Sequence, residues 1–134
     1  AAEKVDLASA LRPINITAEG LSRRGRDVSR ARNIEKFKVC FTIDKNPVAK
    51  PGNRNVFVRI IRPDNLTIEN TQRDTLFIDQ QPIIYSAKRE VDYQNEPLDI
   101  CIFVDVTEDM PKGAYKIEVY ADGRFIGTGG VSFK

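Results

Sequence analysis

The chain has 134 residues, of which 41% are apolar and 30% are charged, and its formal net charge is +2. This length allows one core that buries roughly two-thirds of the unfolded surface, and the composition argues against a disordered or a membrane-spanning chain. The sequence contains no histidine. Because histidine is the commonest general base and a frequent zinc ligand, its absence argues against histidine-dependent hydrolases and most zinc enzymes.

The first element predicted along the chain is an edge strand over residues 11–18. Its sequence, Leu-Arg-Pro-Ile-Asn-Ile-Thr-Ala, suits an edge because a proline is tolerated there. Residues 1–10 are interpreted as a tail or as the end of a preceding helix, and residues 11–134 as a single domain. The chain begins with Ala1 and not with Met, so we interpret it as a piece of a longer protein.

A basic segment follows at residues 23–38. It contains seven basic and two acidic side chains, which gives it a charge of +5 and leaves −3 for the rest of the chain. The segment is either a solvated loop that leads into a strand or a surface for an acidic partner such as a nucleic acid. The candidate residues of this basic patch are Arg23, Arg24, Arg26, Arg30 and Arg32.

Period-two alternation predicts the remaining elements as strands. It is clearest over residues 37–43 and 98–106. A further strand is expected over 56–61, and weaker strands are expected at about 75–79 and 82–93. A hairpin closes the chain, with strands at 114–121 and 124–133 joined by Asp-Gly, a pair favoured in type I′ turns. The predicted fold is an all-β, immunoglobulin-like sandwich of seven or eight mainly antiparallel strands.

The two cysteines occupy equivalent positions in the two clearest strands. By alternation, Cys40 and Cys101 both lie on the face opposite the core. If the strands are neighbours, as an immunoglobulin-like order places them, the two sulfur atoms come within bonding distance. A disulfide and a pair of separate thiols both remain open.

The Asp-Gly turn fixes the register of the last hairpin. It places Val119 opposite Ile126 on the inner face and Tyr120 opposite Phe125 on the outer face. The same count puts Phe133 outside, unless a bulge near the glycines of the last strand shifts the parity.

An apolar patch is expected on the outer face of this hairpin and the neighbouring strand. The patch is either a docking surface or is covered by the N-terminal arm or by the connection 63–82. Its candidate residues are Phe57, Ile61, Tyr120 and Phe125.

Three stretches together resemble the C-terminal β-domain of bacterial membrane-anchored coiled-coil proteins, which are often labelled chromosome-segregation or cell-division related. The stretches are Leu7–Ile16, Val56–Pro63, and Gly113–Gly123 with Ile126-Gly127. The resemblance implies an upstream anchor, a coiled coil that oligomerises, and a distal β-domain without catalytic residues. It also implies a place in the cell envelope, on the periplasmic side, with the cytoplasm as the alternative.

The sequence shows no P-loop, EF-hand loop or dinucleotide fingerprint, so we expect no enzyme activity, no cofactor and no metal site. The leading hypothesis is a non-enzymatic interaction or scaffolding module that contacts a protein or a cell-wall component, with no membrane contact by this fragment itself. The alternative is a nucleic-acid-binding module that uses the basic segment and is related to chromosome partitioning. A carbohydrate-binding or adhesion module is the third hypothesis.

Overall fold

The computed structural model describes residues 10–134, and the regular elements in that range are nine strands and one 3₁₀ turn, Ala31–Asn33. Residues 1–9, which were interpreted as a tail or the end of a helix, lie outside the described residues. The strands are β1 (Pro13–Leu21), β2 (Lys36–Ile43), β3 (Gly52–Ile61), β4 (Thr75–Ile78), β5 (Gln81–Ile84), β6 (Ala87–Tyr93), β7 (Leu98–Asp105), β8 (Gly113–Ala121) and β9 (Arg124–Phe133).

Seven of these strands form two antiparallel sheets that pack face to face. Sheet I has the order β1-β2-β7 and sheet II has the order β6-β3-β8-β9. The other two strands, β4 and β5, form a separate hairpin, which we call the covering hairpin. The predicted all-β sandwich of mainly antiparallel strands is therefore confirmed.

The core lies between the sheets, where the alternation of each strand directs its apolar side chains. On β2 every second residue from Phe37 to Ile43 is buried, and the intervening residues are half-buried on the outer face of sheet I. At one end of the core, Tyr115 packs with Phe37 and Phe133 at ring-centroid distances of 5.4 and 5.5 Å. The Tyr115 hydroxyl donates to the carbonyl of Pro111 at 2.5 Å. A tyrosine bonded back to the chain just before its strand is also a feature of immunoglobulin-like sandwiches.

The last hairpin has the expected turn but not the expected register. Asp122 and Gly123 both have positive φ angles, 54° and 74°, as a type I′ turn requires. Val119 lies opposite Gly127, so the predicted pairing of Val119 with Ile126 is wrong. The register shifts beside Tyr120 because β9 carries one extra residue there, and the shift turns Phe133 inward, where it is 9% exposed.

The two ends of the sandwich carry different parts of the chain. Pro13, Ile43 and Leu98 are aligned at one end, and Leu21, Lys36 and Asp105 are aligned at the other. Ala10 lies at the first end, where its carbonyl accepts a hydrogen bond from Asn46 Nδ2 at 3.1 Å. The connection from β1 to β2, which contains the basic segment's arginines, lies at the opposite end. Residues 10–134 contain no helix long and apolar enough to span a membrane.

Candidate interaction surface

The covering hairpin packs over two of the four residues of the predicted apolar patch, Tyr120 and Phe57. Leu76, Tyr85 and Tyr120 form a small second core in which Tyr120 is only 5% exposed. Phe57 packs against this cluster, with its ring centroid 4.9 Å from that of Tyr85. Of the two alternatives for the patch, Tyr120 has the covered one, because the connection that includes β4 folds over it.

The other two members of the patch lie differently. Ile61 is half-buried, while Phe125 remains 49% exposed at the end of the sandwich where Ala10 lies. Phe125 still touches the buried cluster through the edge of the Tyr120 ring, with a centroid distance of 5.6 Å. The four residues thus do not form one open surface.

A polar network lies under the same hairpin. Tyr120 donates its hydroxyl to Glu118 Oε1 at 2.8 Å, and Arg59 Nη1 donates to the same oxygen at 3.0 Å. Burial and the hydrogen bond with Glu118 raise the pKa of Tyr120 to about 12. This network satisfies the carboxylate of Glu118, which is 9% exposed, and links β3 to β8 within sheet II.

The cysteines are joined in the structure. Cys40 of β2 and Cys101 of β7 lie directly opposite each other, with their Cα atoms 4.1 Å apart, and form a disulfide on the outer face of sheet I. A Cα distance this short is typical of the non-hydrogen-bonded pairs of an antiparallel ladder. Of the two alternatives that the sequence left open, the structure has the bonded one.

The basic segment forms an ordered loop over residues 22–35, which we call the basic loop. Its tip is a tight turn in which Gly25 N–H donates to the Ser22 carbonyl at 2.9 Å and Ser22 N–H donates to the Arg26 carbonyl at 2.8 Å. Gly25 has a φ of +85°, a conformation that glycine adopts without strain. The tip carries Arg23, Arg24 and Arg26 into solvent.

The second half of the basic loop is held by the last residue of the chain. Ala31 N–H donates to the Lys134 carbonyl at 2.7 Å, and Lys134 N–H donates to the Ser29 carbonyl at 3.1 Å. Ala31 is 1% exposed and belongs to the core. The backbone is therefore fixed on both sides of Arg30 and Arg32, whose side chains are exposed.

The arginines of the basic loop differ in whether they have a partner. Arg23 is paired with Glu35, with Nε 3.2 Å from Oε2. Within residues 10–134 the other four guanidinium groups make no ion pair or hydrogen bond. These four are Arg24, Arg26, Arg30 and Arg32. The loop, with five arginines and two acids, is thus an exposed basic surface whose cations are mostly unpaired.

Sequence reasoning missed an exposed aromatic residue beside the basic loop. Phe103 is 52% exposed on the outer face of sheet I, directly opposite Lys38, and Lys36 Nζ lies 5.7 Å from its ring centroid. The alternation of β7 does place Phe103 outward, because Ile102 and Val104 point inward. Its position next to two lysines depends on the pairing register of β2 and β7, which alternation alone does not give.

Within the part of the chain that the structure describes, no three acidic or cysteine side chains are grouped so that they could hold a metal ion. The grooves on the surface are open and shallow, including one of about 370 Å³ beside Cys101 and Phe103.

Comparison with known proteins gives one result. A family model described as a domain of unknown function (DUF8428) matches residues 14–134. The searches of curated proteins and of solved structures find no match.

Proposed function

We propose that this chain, which belongs to the DUF8428 family because that family's model covers residues 14–134, is a non-enzymatic interaction or scaffolding module of a cell-envelope protein. In this proposal an upstream coiled coil supplies length and oligomerisation. The β-sandwich then contacts a protein or a cell-wall component through the basic loop.

The observation that carries the proposal is the unpaired charge of the basic loop and its location. Four exposed guanidinium groups without partners in the described chain face solvent at one end of the sandwich. Ala10, where the upstream chain enters, lies at the other end beside Asn46. If the upstream coiled coil precedes Ala10, the basic loop lies at the end of the sandwich away from the coiled coil and is accessible to a partner.

The disulfide supports the cell-envelope location in this proposal. A bond between Cys40 and Cys101 is stable where the environment is oxidising, as in the periplasm or outside the cell, and is rare in the cytosol. Alkylation of the protein inside intact cells, followed by mass measurement, tests this point. We expect no alkylated cysteine unless a reductant is added first, and two free thiols would contradict an envelope location.

Site-specific photo-crosslinking in the full-length protein tests the contact. A photoreactive residue at position 30 lies in the basic loop, and one at position 53 is equally exposed at the opposite end of the sandwich. We expect a discrete adduct from position 30 and none from position 53. Equal labelling from both positions, or labelling from neither, would contradict the proposal.

A second candidate function is nucleic-acid binding by the same loop, related to chromosome partitioning. It is favoured by the same unpaired arginines, and Phe103 beside Lys36 supplies an exposed ring of the kind on which bases stack. Titration with duplex and single-stranded DNA distinguishes it, because such binding releases counterions from the nucleic acid and therefore weakens steeply as the salt concentration rises. If no binding occurs at low salt, this candidate is excluded.

A further inference from the structure

We infer that the basic loop is a docking site for a carboxylate-rich protein segment. This inference rests on the proposed function, since it names the partner of the interaction module. It follows from the kind of cation in the loop, from one carboxylate that the loop already holds, and from the rigidity of its backbone.

The cations of the basic loop are all arginines. Residues 22–35 contain five of the chain's twelve arginines and none of its nine lysines. A guanidinium group presents its N–H donors as a planar fork that matches two oxygens of a carboxylate or a phosphate group, whereas an ammonium group acts as a point charge. Arginine is enriched and lysine depleted in protein interfaces.

The loop already binds one carboxylate. Arg23 holds both oxygens of Glu35, with its backbone N–H 3.1 Å from Oε1 and its Nε 3.2 Å from Oε2. Each oxygen therefore receives its own donor from a single residue of the loop. Arg24, Arg26, Arg30 and Arg32 offer the same guanidinium chemistry with no carboxylate in place.

The backbone of the basic loop is fixed before any partner binds. The turn at Ser22–Arg26 and the two hydrogen bonds between Lys134 and the 29–31 segment hold it on both sides of the free arginines. A partner therefore has to order only the side chains, which lowers the entropy cost of binding. Within residues 10–134 the guanidinium groups of Arg24, Arg26, Arg30 and Arg32 make no ion pair or hydrogen bond, so replacing them removes no bond that holds the fold.

Fluorescence titration with a labelled polyglutamate peptide tests the inference, with duplex DNA and phosphatidylglycerol vesicles as parallel probes. The decisive variant replaces Arg24, Arg30 and Arg32 by lysine. This substitution keeps the charge but removes the planar array of guanidinium N–H donors. We expect it to bind polyglutamate about threefold or more weakly, and the corresponding glutamine variant about tenfold or more weakly. Replacing Lys45, Lys50 and Lys88 by glutamine is the matched control, since it removes the same charge from exposed sites outside the loop.

Three outcomes would overturn the inference. They are no polyglutamate binding at low salt, equal binding by the lysine variant and the wild type, and tighter binding of DNA or vesicles than of the peptide. Thermal unfolding of each variant shows that the fold is kept. These outcomes are separate from the crosslinking result, because an adduct at position 30 to a non-acidic partner would retain the interaction module and discard only the carboxylate chemistry.

Discussion

Tyr115 and Tyr120 are two buried tyrosines of the same strand whose hydroxyl groups have different partners. Tyr115 donates to the backbone carbonyl of Pro111, whereas Tyr120 donates to the carboxylate of Glu118. In both cases the pKa of the phenol is raised to about 12, by burial first, and for Tyr120 by the Glu118 hydrogen bond next. Each hydroxyl therefore contributes to stability in a way that can be measured separately.

Replacing Tyr115 with phenylalanine should lower the free energy of unfolding by about 1 kcal/mol, because it removes one hydrogen bond and leaves the ring in place. The ring contacts with Phe37 and Phe133 are unchanged by this substitution. Urea denaturation monitored by circular dichroism measures the effect. Tyr85→Phe is the control, since Tyr85 is buried but its hydroxyl has no hydrogen-bond partner within residues 10–134. Equal losses in the two variants would contradict a role for the Pro111 bond.

The raised pKa of Tyr120 predicts how stability depends on pH. Its pKa is about 12 in the folded protein and near the ordinary tyrosine value of 10.0 when the chain is unfolded. Between those values the unfolded state binds fewer protons than the folded state, so the stability that Tyr120 contributes is fully present below pH 10 and is lost as pH rises through 12. The urea midpoint should therefore fall less steeply from pH 10 to pH 12 in Tyr120→Phe than in the wild type. Parallel curves would show that the phenol titrates alike in both states.

At the scale of elements, the Cys40–Cys101 disulfide joins two strands that are 61 residues apart in sequence. A disulfide that closes a loop of that length lowers the conformational entropy of the unfolded chain. It thereby raises the free energy of unfolding by on the order of 4 kcal/mol. The double variant Cys40→Ala, Cys101→Ala should lose a free energy of unfolding of this size, and reduction of the wild type should produce the same loss. Guanidinium denaturation with and without a reductant measures both. A double variant that still responds to the reductant, or one as stable as the wild type, would contradict the assignment.

Period-two alternation predicted most strands because the sandwich buries one face of each strand. It identified β2 and β7, which are neighbours in sheet I, so the proximity of Cys40 and Cys101 that was expected on the condition of this pairing is present. The alternation failed to predict the strand register where a bulge in β9 interrupts it. The extra residue near Ile126 shifts β9 and turns Phe133 inward, and its position depends on how β9 packs. The glycines there also make room for β1, since a Cβ on Gly127 would lie 2.6 Å from Pro13 Cγ.

The candidate site was predicted only in part, for similar reasons. The arginines of the basic loop can be read directly from the sequence as a cluster of charge. Their lack of partners, and the bonds to Lys134 that fix their backbone, depend on contacts between residues about 100 positions apart, which no local pattern contains. Covering of Tyr120 by the connection 63–82 was one of two alternatives that the sequence left open, because the contact between the covering hairpin and sheet II is tertiary.

At the scale of the whole molecule, stability is distributed over two clusters of very different size. The main core joins both sheets and includes side chains from Leu11 to Phe133, whereas the second cluster consists of Leu76, Tyr85 and Tyr120 with two partly buried neighbours. A two-stranded hairpin has little stability of its own in water. The covering hairpin therefore depends on those few contacts, and we expect it to open locally while the sandwich remains folded.

Leu76→Ala tests whether the covering hairpin opens separately from the sandwich, because Leu76 is 8% exposed and packs the hairpin against Tyr120. Removal of a buried leucine side chain costs about 2–5 kcal/mol where it packs. Hydrogen exchange should show this loss in the amides of β4 and β5, while the slowest amides of β2 and β8 change by less than about 1 kcal/mol, since they exchange only on global unfolding. Val119→Ala, in the main core, is the control and should lower protection throughout the sandwich. If Leu76→Ala lowers protection equally in both regions, the hairpin and the sandwich unfold as one unit, and Tyr120 is then covered as permanently as the core itself.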